Sequence, residues 1–324
     1  MTLDLRKDYL LERWVIIAEK RKDRPKEFGK HEVVSDQNSC IFCPGNEFNT
    51  PAETFRIKNK SKSEVDKKWI VRAFPNKFPG VDRLGKYSVE KKGFLTHSYP
   101  EGDHEVIVET NDHSRQLWDL NDKEIINVIH AWQNRIQGLE KKSDYAVAFK
   151  NHGRDGGTSI VHSHTQLMSY PRIPAIVKEE LFEYKKYKTK HKKCPYCQII
   201  KQEMKSKRKV LENKSFAALC PYASRFNYEL WIFPKRHVAR ITELKESESK
   251  DLAILLSKVL KKIRSIDAPY NLMIHRTPSL NKCKDFHFHL EILPRTAIWA
   301  GFEMSSGEII NSVSPESSAE WYRE

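Results

Sequence analysis

The feature that most constrains the fold of this chain is an internal duplication of its cysteine and histidine motifs. Each half contains a C-x-x-C pair, a glutamate-led apolar segment that ends in a histidine, a helical stretch and an H-x-H segment. The glutamate precedes its histidine by eight residues in both halves. From that histidine to the first histidine of H-x-H is 49 residues in the first half and 50 in the second. Matched order and spacing predict two copies of one structural unit.

Each copy is predicted to be an α+β unit built on an antiparallel sheet. Segments such as HEVIVET and YELWIF are rich in β-branched and aromatic residues, which is typical of strands. Residues 119–142 and 246–266 carry apolar residues at helical spacing. Further strands are predicted at 145–153, 160–168, 270–278 and 286–293. A helical connection at 171–193 divides the chain into repeats 1–175 and 176–324, and the order of elements favours the α+β class.

The cysteines favour metal ions over disulfides. Four of the six form the pairs CIFC and CPYC, and the charged N-terminal segment MTLDLRKDYLLERW has no secretory character. Zinc prefers four tetrahedral sulfur and nitrogen ligands, and each repeat offers two cysteines and two histidines. The predicted ligand sets are Cys40, Cys43, His113 and His162 in the first half, and Cys194, Cys197, His237 and His287 in the second. Because the protein fills every position, both zinc sites are predicted to be structural.

The segment SIVHSHTQLM places His162, His164 and Gln166 on one face of a predicted strand. If His162 binds metal, His164 remains beside it, and a neutral imidazole can attack an electrophile when its other nitrogen is held by an acceptor. The preceding loop KNHGRDGGTS can bring backbone N–H groups and the side chains of Asn151 and Ser159 to a phosphate. Gln166 can donate to a phosphoryl oxygen. The pattern indicates phosphoryl or nucleotidyl transfer through a covalent histidine.

These residues also resemble a known family. FKNHGRDGGTSIVHSHTQL is similar to the active-site segment of the galactose-1-phosphate uridylyltransferases, a branch of the histidine-triad superfamily. LRKDYLLERWVIIAEKRKDRP, CIFCPGNE, VRAFPNKFP, GDHEVIVETNDHS and AGFEMSSGEIINSVSPESSAEWYR match further family segments in order. The resemblance therefore extends along nearly the whole chain and implies two histidine-triad-like repeats.

The resemblance implies a ping-pong reaction. His164 attacks the α-phosphate of a nucleoside diphosphate hexose and releases a hexose 1-phosphate, and a second hexose 1-phosphate or inorganic phosphate then takes the nucleotidyl group. Gln166 matches the family's phosphoryl-stabilising glutamine, and a homodimer is expected. The resemblance implies substrate-binding roles for Arg24, Asn76, Asn151, Ser159 and Glu303.

Some residues depart from the uridylyltransferase pattern. Ser163 stands between the two histidines where those enzymes carry proline, and Ala297 and Ile309 replace a lysine and a glutamine of the hexose-contacting segment. These departures resemble the ADP-glucose phosphorylase branch, which moves AMP from ADP-glucose to phosphate with the same histidine. Bacterial uridylyltransferases often bind iron at the second metal site, whereas CPYC predicts zinc here. Uridine and adenosine donors both remain open, because the sequence does not display base selection.

The second H-x-H segment is predicted to be catalytically silent. FHFHLEILPR places Glu291 where the first repeat has Gln166, and a carboxylate there would repel an anionic phosphoryl group. We therefore expect a structural C-terminal repeat in which His289 is not a nucleophile.

Two other functions fit parts of the sequence. A dinucleoside polyphosphate phosphorylase or hydrolase would need only a different acceptor. A zinc-stabilised nucleic-acid-binding module is suggested by the net charge of +14, but it leaves the H-x-H-x-Q face unexplained, and the lysines fall in scattered clusters typical of solvated surface. The apolar runs are too short to span a membrane. We therefore expect a cytoplasmic enzyme with neither a nucleic-acid nor a membrane partner.

Overall fold

The computed structural model describes residues 3–23, 37, 39–59, 69–278 and 285–324. Over these residues the chain forms fifteen strands and six α-helices. The strands are β1 Leu3–Lys7, β2 Trp14–Ala18, β3 Phe55–Lys58, β4 Trp69–Pro75, β5 Glu90–Lys92, β6 Leu95–His97, β7 Asp103–Val108, β8 Tyr145–His152, β9 His164–Tyr170, β10 Lys209–Glu212, β11 Phe216–Leu219, β12 Leu230–Pro234, β13 Tyr270–His275, β14 His289–Pro294 and β15 Ile309–Asn311. The helices are α1 Asp122–Glu140, α2 Ala175–His191, α3 Pro195–Glu203, α4 Glu246–Arg264, α5 Gly301–Ser306 and α6 Pro315–Arg323.

Ten of the strands form one antiparallel sheet that both repeats share. Its order is β10–β11–β12–β14–β13–β8–β9–β7–β4–β3, so each repeat supplies five adjacent strands. The two sets follow the same order from the edge inwards and meet where β8 pairs with β13. The predicted α+β class and the duplication are confirmed, and the repeats form a single continuous sheet.

The two long helices cover one face of this sheet and pack against each other. Asn121 begins α1 by accepting hydrogen bonds from the backbone N–H groups of Lys123 and Glu124, and the Glu124 carboxylate accepts in return from the Asn121 N–H. Apolar residues at helical spacing, such as Ile125 and Ile129, are fully buried. Each buried side chain of this size contributes about 1.5–3 kcal/mol. Both helices lie within the predicted segments, and α2 lies within the predicted connection.

The predicted strands at 160–168 and 286–293 begin later than the sequence pattern indicated. The first strand starts at His164 and the second at His289, so the first histidine of each H-x-H segment precedes its strand. The chain bends at His162, whose ring is turned to the cysteines and to a backbone carbonyl. These contacts, to residues more than 50 positions away in the chain, override the strand alternation that the apolar pattern predicted.

The N-terminal segment crosses from the first repeat to the second. β1 pairs with β2, and β2 pairs in parallel with β15 near the C-terminus. Residues 8–13, which join β1 to β2, lie against the second H-x-H segment. In the part of the chain that the structure describes, the helices lack the combination of length and apolar character that crossing a bilayer requires.

Candidate active site and metal clusters

The first ligand set predicted from the sequence comes together as a buried cluster. The Nδ1 atom of His162 lies 3.6 Å from the Cys40 sulfur and 3.5 Å from the Cys43 sulfur, and His113 Nδ1 lies 3.4 Å from the Cys43 sulfur. The Nε2 atom of His162 donates to the Thr110 carbonyl at 2.8 Å, which leaves Nδ1 as the ligating nitrogen. Burial is the main cause, and the neighbouring Cys40 the second, that raises the pKa of the Cys43 thiol to about 12. Two thiolates at this position therefore require a cation to stabilise them.

The second set repeats this arrangement at the start of α3. His287 Nδ1 lies 3.9 Å from the Cys194 sulfur and 3.4 Å from the Cys197 sulfur, and its Nε2 donates to the Pro234 carbonyl at 2.8 Å. His237 Nδ1 lies 3.5 Å from the Cys197 sulfur, and its ring is exposed. In each cluster the four potential ligand atoms lie within 4.8 Å of one another. Both clusters can therefore hold a metal ion.

His164 begins β9 directly beyond the first cluster. Its Nδ1–H donates to the His162 carbonyl at 2.8 Å, so the lone pair of the neutral ring lies on Nε2. The residue is 5% exposed, and the Phe42 ring packs against the imidazole with its centroid 5.3 Å away. Burial, assisted by the Lys150 charge, lowers the pKa of His164 to about 4. The ring is therefore neutral near pH 7 and carries the electron pair that a nucleophile needs.

A buried ion pair holds the Ser163 side chain and the His164 carbonyl. Lys150 Nζ donates to Glu109 at 2.7 Å, to the Ser163 hydroxyl at 3.0 Å and to the His164 carbonyl at 3.1 Å. Ser163 in turn donates to Glu109 at 2.5 Å. The serine that departs from the uridylyltransferase pattern is thus part of a polar network that a proline could not complete. Sequence reasoning missed Lys150 and Glu109, although a charged residue ending the apolar run AVAF was a usable signal.

Gln166 and Asn76 meet at His104, another residue that the sequence analysis did not select. The Gln166 Oε1 atom lies 2.9 Å from His104 Nε2, and Asn76 Nδ2 lies 3.2 Å from the same nitrogen. The Asn76 backbone N–H also donates to the His104 carbonyl at 2.7 Å. His104 lies on the same face of β7 as the buried Val106 and Val108. A polar residue in line with two apolar residues at a spacing of two was the signal for a side chain on the site face.

Asn151 is the penultimate residue of β8, next to the glycine-rich loop. Its Oδ1 accepts from Asn271 Nδ2 at 2.9 Å, and the same amide donates to the Gly156 carbonyl at 2.7 Å. Asn271 lies on β13, so the second repeat helps to hold the loop of the first. Gly153 has a φ of 72° and a Cβ there would lie 2.8 Å from Pro269, which requires glycine. Ser159 lies at the end of this loop and is exposed.

The remaining predicted substrate residues lie away from this group or outside the described part of the chain. Arg24 falls outside the described residues. Glu303 lies on α5, which packs on β15 of the three-stranded sheet. Its carboxylate accepts from the Ala300 backbone N–H at 2.9 Å. The substrate-binding roles of both residues stay predictions.

The second H-x-H segment has a different environment. His289 Nδ1 lies 3.4 Å from the His287 carbonyl, and its Nε2 lies 3.6 Å from a Glu291 carboxylate oxygen. Glu291 also pairs with Arg225 and with His275. Burial alone would lower the pKa of His275, but the carboxylates of Glu291 and Glu180 raise it to about 9. His289 is therefore surrounded by fixed charges.

Residues 8–13 also cover the second segment. All of them except Glu12 line a cavity of about 10 Å³, together with Tyr196, Trp231 and His289, and this volume is no larger than a water molecule needs. The ring centroids of Tyr196 and Trp231 lie 5.1 and 5.4 Å from that of His289. A nucleotide has no room at this position.

The fold and these clusters define a duplicated α+β protein in which each repeat carries a C-x-x-C pair and an H-x-H segment. The family model described as "Galactose-1-phosphate uridyl transferase, N-terminal domain" matches residues 2–174, and the model of the corresponding C-terminal domain matches residues 180–308. The chain therefore belongs to the galactose-1-phosphate uridylyltransferase family of enzymes, as its sequence motifs predicted.

Several relatives cover nearly the whole chain. An ADP-glucose phosphorylase of Arabidopsis thaliana is 33% identical over 99% of this chain and 92% of its own length. A galactose-1-phosphate uridylyltransferase of Thermotoga maritima is 28% identical over 99% of this chain and 98% of its own length. Among solved structures, an ADP-glucose phosphorylase from Arabidopsis thaliana with bound ADP-glucose matches with a TM-score of 0.83 at 30% identity, covering 100% of this chain and 99% of that one.

Proposed function

We propose that this enzyme moves a nucleoside monophosphate from a nucleoside diphosphate hexose to a phosphate acceptor through a nucleotidyl-His164 intermediate. The observation that carries the proposal is the hydrogen bond from His164 Nδ1–H to the His162 carbonyl. This bond fixes the tautomer and leaves the Nε2 electron pair for attack. The low pKa of the buried ring keeps that pair available near neutral pH.

The reaction consists of two displacements at the α-phosphorus. In the first, His164 Nε2 forms a bond to phosphorus, and the bond from phosphorus to the bridging oxygen breaks, so that hexose 1-phosphate leaves with the electron pair. In the second, a phosphate oxygen of the acceptor attacks phosphorus and the nitrogen–phosphorus bond breaks. His164 returns to its neutral form, and no outside oxidant or reductant is needed.

The charge that develops on the phosphoryl oxygens needs fixed donors. We assign this role to the Gln166 amide and to the loop that joins Asn151 to Ser159. Gly153 and Gly157 have φ values of 72° and 82°, and such turns direct backbone N–H groups toward an anion. Arg24, Asn76 and Glu303 complete the proposed substrate-binding set.

We propose Zn²⁺ at both metal clusters. Two sulfur and two imidazole ligands form the donor set that zinc prefers for structural sites. When bound, the ion would supply rigidity, because it would fix the His162 side chain. The backbone carbonyl of the same residue orients His164. In this proposal residues 1–175 carry the reaction and residues 176–324 form a structural repeat.

The first candidate reaction is uridylyl transfer, with UDP-glucose as the donor and galactose 1-phosphate as the acceptor. Relatives with that name are 28% identical to this chain. The second candidate is adenylyl transfer from ADP-glucose to phosphate. Ser163 favours it, because the serine is built into the contact with Lys150 and Glu109 and departs from the His-Pro-His of uridylyltransferases. The 33% identical ADP-glucose phosphorylase supports the same candidate.

Intact-mass measurement tests the mechanism and the nucleotide together. The protein is incubated separately with UDP-glucose, UDP-galactose and ADP-glucose. We expect a UMP or AMP adduct that His164→Ala abolishes and that the surface variant His130→Ala retains. An AMP adduct alone would reject the uridylyl candidate, a UMP adduct alone would reject the adenylyl candidate, and no adduct with any donor would contradict the covalent mechanism.

We also propose that the enzyme is a homodimer, as the family resemblance implies. The β5–β6 hairpin exposes Phe94 and Leu95, which are 106% and 72% accessible, and exposed apolar surface is typical of a subunit interface. Light scattering is expected to give twice the chain mass of 38.0 kDa. The cytoplasmic location stays a prediction.

A further inference from the structure

His104 and Gln166 are diagonal neighbours on the strands that form the active-site face. In the register of β7 and β9, Val106 pairs with Gln166 and Val108 pairs with His164. Side chains two residues apart on a strand share a face, and so do directly opposite residues. The side chains of His104, Gln166 and His164 therefore project from the same side of the sheet.

The backbone of Gly80 determines which nitrogen of His104 carries the proton. The Gly80 N–H lies 3.1 Å from His104 Nδ1, and a backbone N–H can only donate. Nδ1 is therefore the acceptor, and the proton of the neutral ring lies on Nε2. Burial lowers the pKa of His104, which favours the neutral ring. The Nε2–H group then donates to Gln166 Oε1 at 2.9 Å.

This hydrogen bond determines the direction of the Gln166 amide. A carboxamide has one oxygen and one NH₂ group. If the amide were reversed, its NH₂ group would face the Nε2–H of His104, and two donors would meet. With the oxygen bound to His104, the NH₂ group is the part of Gln166 that remains for a phosphoryl oxygen.

Asn76 provides a second donor on this face. Its Oδ1 accepts from the Phe78 backbone N–H at 2.9 Å, which places its NH₂ group toward His104. Asn76 Nδ2 lies 3.2 Å from His104 Nε2. Because both nitrogens are donors in this tautomer, this contact is not a hydrogen bond. Both amides therefore direct NH₂ groups into a region where an anion would be stabilised.

We propose that His104 is a positioning residue that presents the Gln166 NH₂ group to the transferred phosphoryl group. The proposal deepens the proposed function and rests on it for the identity of the ligand. His104 acts only through Gln166 and does not itself contact substrate.

A double-mutant cycle tests this dependence. We expect His104→Ala to lower kcat about 10- to 100-fold, because one well-placed donor to a developing anion is lost, with KM changed less than about threefold. His104→Gln is expected to restore most of kcat, since its amide can donate to Gln166 Oε1. In the Gln166→Ala background, His104→Ala should change kcat less than about threefold. An equal loss from His104→Ala in both backgrounds, or no loss in either, would overturn the proposal.

A second measurement does not depend on turnover. Nitrogen-15 NMR of the histidine side chains of the wild-type protein, assigned with His104→Gln, reports the tautomer of His104. We expect the proton on Nε2 and a bare Nδ1; a proton on Nδ1 would overturn the proposal. If no nucleotide sugar forms an adduct, the proposed function fails while this tautomer result still decides whether His104 orients Gln166.

Discussion

The two H-x-H segments share a scaffold and differ in what surrounds the second histidine. In both repeats the first histidine faces two cysteines and donates to a backbone carbonyl at 2.8 Å. In the first repeat the next histidine, His164, donates to the carbonyl before it at 2.8 Å and has the Gln166 amide on its face. In the second, the corresponding separation for His289 is 3.4 Å, and the neighbouring side chain is the Glu291 carboxylate.

This difference teaches that the cysteine–histidine cluster and the proposed nucleophile are separable parts of the fold. The cluster needs only the C-x-x-C turn, the strand-end histidine and the first histidine of H-x-H. Reactivity needs in addition a neutral donor nearby and space for a nucleotide. The second repeat has replaced both with charged partners and with the covering segment at residues 8–13.

The largest expected effect comes from removing each second histidine in turn. His164→Ala should reduce nucleotidyl transfer by at least about 10⁴-fold, because the nucleophile itself is lost. His289→Gln should retain the rate within about threefold, since His289 has no part in the chemistry. Steady-state rates of both variants, with circular dichroism to verify folding, check this contrast. A folded His289→Gln protein that no longer forms the adduct would reject the silent second repeat.

Exchanging the residues two positions further along the strands sharpens the same contrast. Gln166→Glu should lower the rate about 10²- to 10³-fold, because a donor is replaced by a charge that repels the phosphoryl group. Glu291→Gln should create no second adduct, since the site remains covered. Single-turnover adduct formation measures both outcomes. A second nucleotide bound per chain in Glu291→Gln would show that charge alone silences that repeat.

The charged network of the second repeat predicts a pH dependence of stability. The pKa of His275 in the folded protein is about 9, above the ordinary value of about 6.5. Its contribution is therefore fully present below about pH 6.5 and is lost as the pH rises to about 9, on the order of 3 kcal/mol in the free energy of unfolding. Denaturant unfolding across this range should show the decline, and His275→Gln should remove it.

The matched control is His130→Gln on the surface of α1, which should keep the decline. Unfolding free energies of His275→Gln and wild type that fall in parallel between pH 6.5 and 9 would contradict the assigned charge of His275. The carboxylates that face His275 are Glu180 and Glu291, and Arg225 opposes them.

Much of this contrast could be predicted from the sequence because the motifs repeat at fixed spacing. The ligand sets, the two long helices and the replacement of Gln166 by Glu291 all follow from residues close together in sequence or in matched positions. The contact between His104 and Gln166 could not be predicted, because it depends on the register of β7 against β9. The ion pair of Lys150 and Glu109 similarly joins residues far apart in the chain.

The covering of His289 by residues 8–13 also could not be predicted from the sequence. Residues 8–13 reach the second repeat beside the pairing of β2 with β15, a contact between opposite ends of the chain. The sequence pattern placed the strand starts too early, because the bend at His162 arises from its bond to Thr110. Local patterns carry no information on such long-range contacts.

The smallest expected effect on the rate comes from removing one cysteine ligand from each cluster in turn. Cys43→Ser should lower the rate about 10- to 100-fold, because loosening a ligand shell disturbs the carbonyl that orients His164. Cys197→Ser should remove one equivalent of metal with less effect on the rate. Metal analysis by mass spectrometry and steady-state kinetics test both. Equal losses of activity in two folded variants would argue against a separate role for the first cluster.

The central claim is that the duplicated fold contains one reactive histidine. The most direct test is to incubate the protein with UDP-glucose or ADP-glucose, digest it under conditions that preserve phosphoramidates, and map the nucleotide by tandem mass spectrometry. We predict the nucleotide on His164 and an unmodified His289. A nucleotide on His289, or on any residue other than His164, would contradict the account.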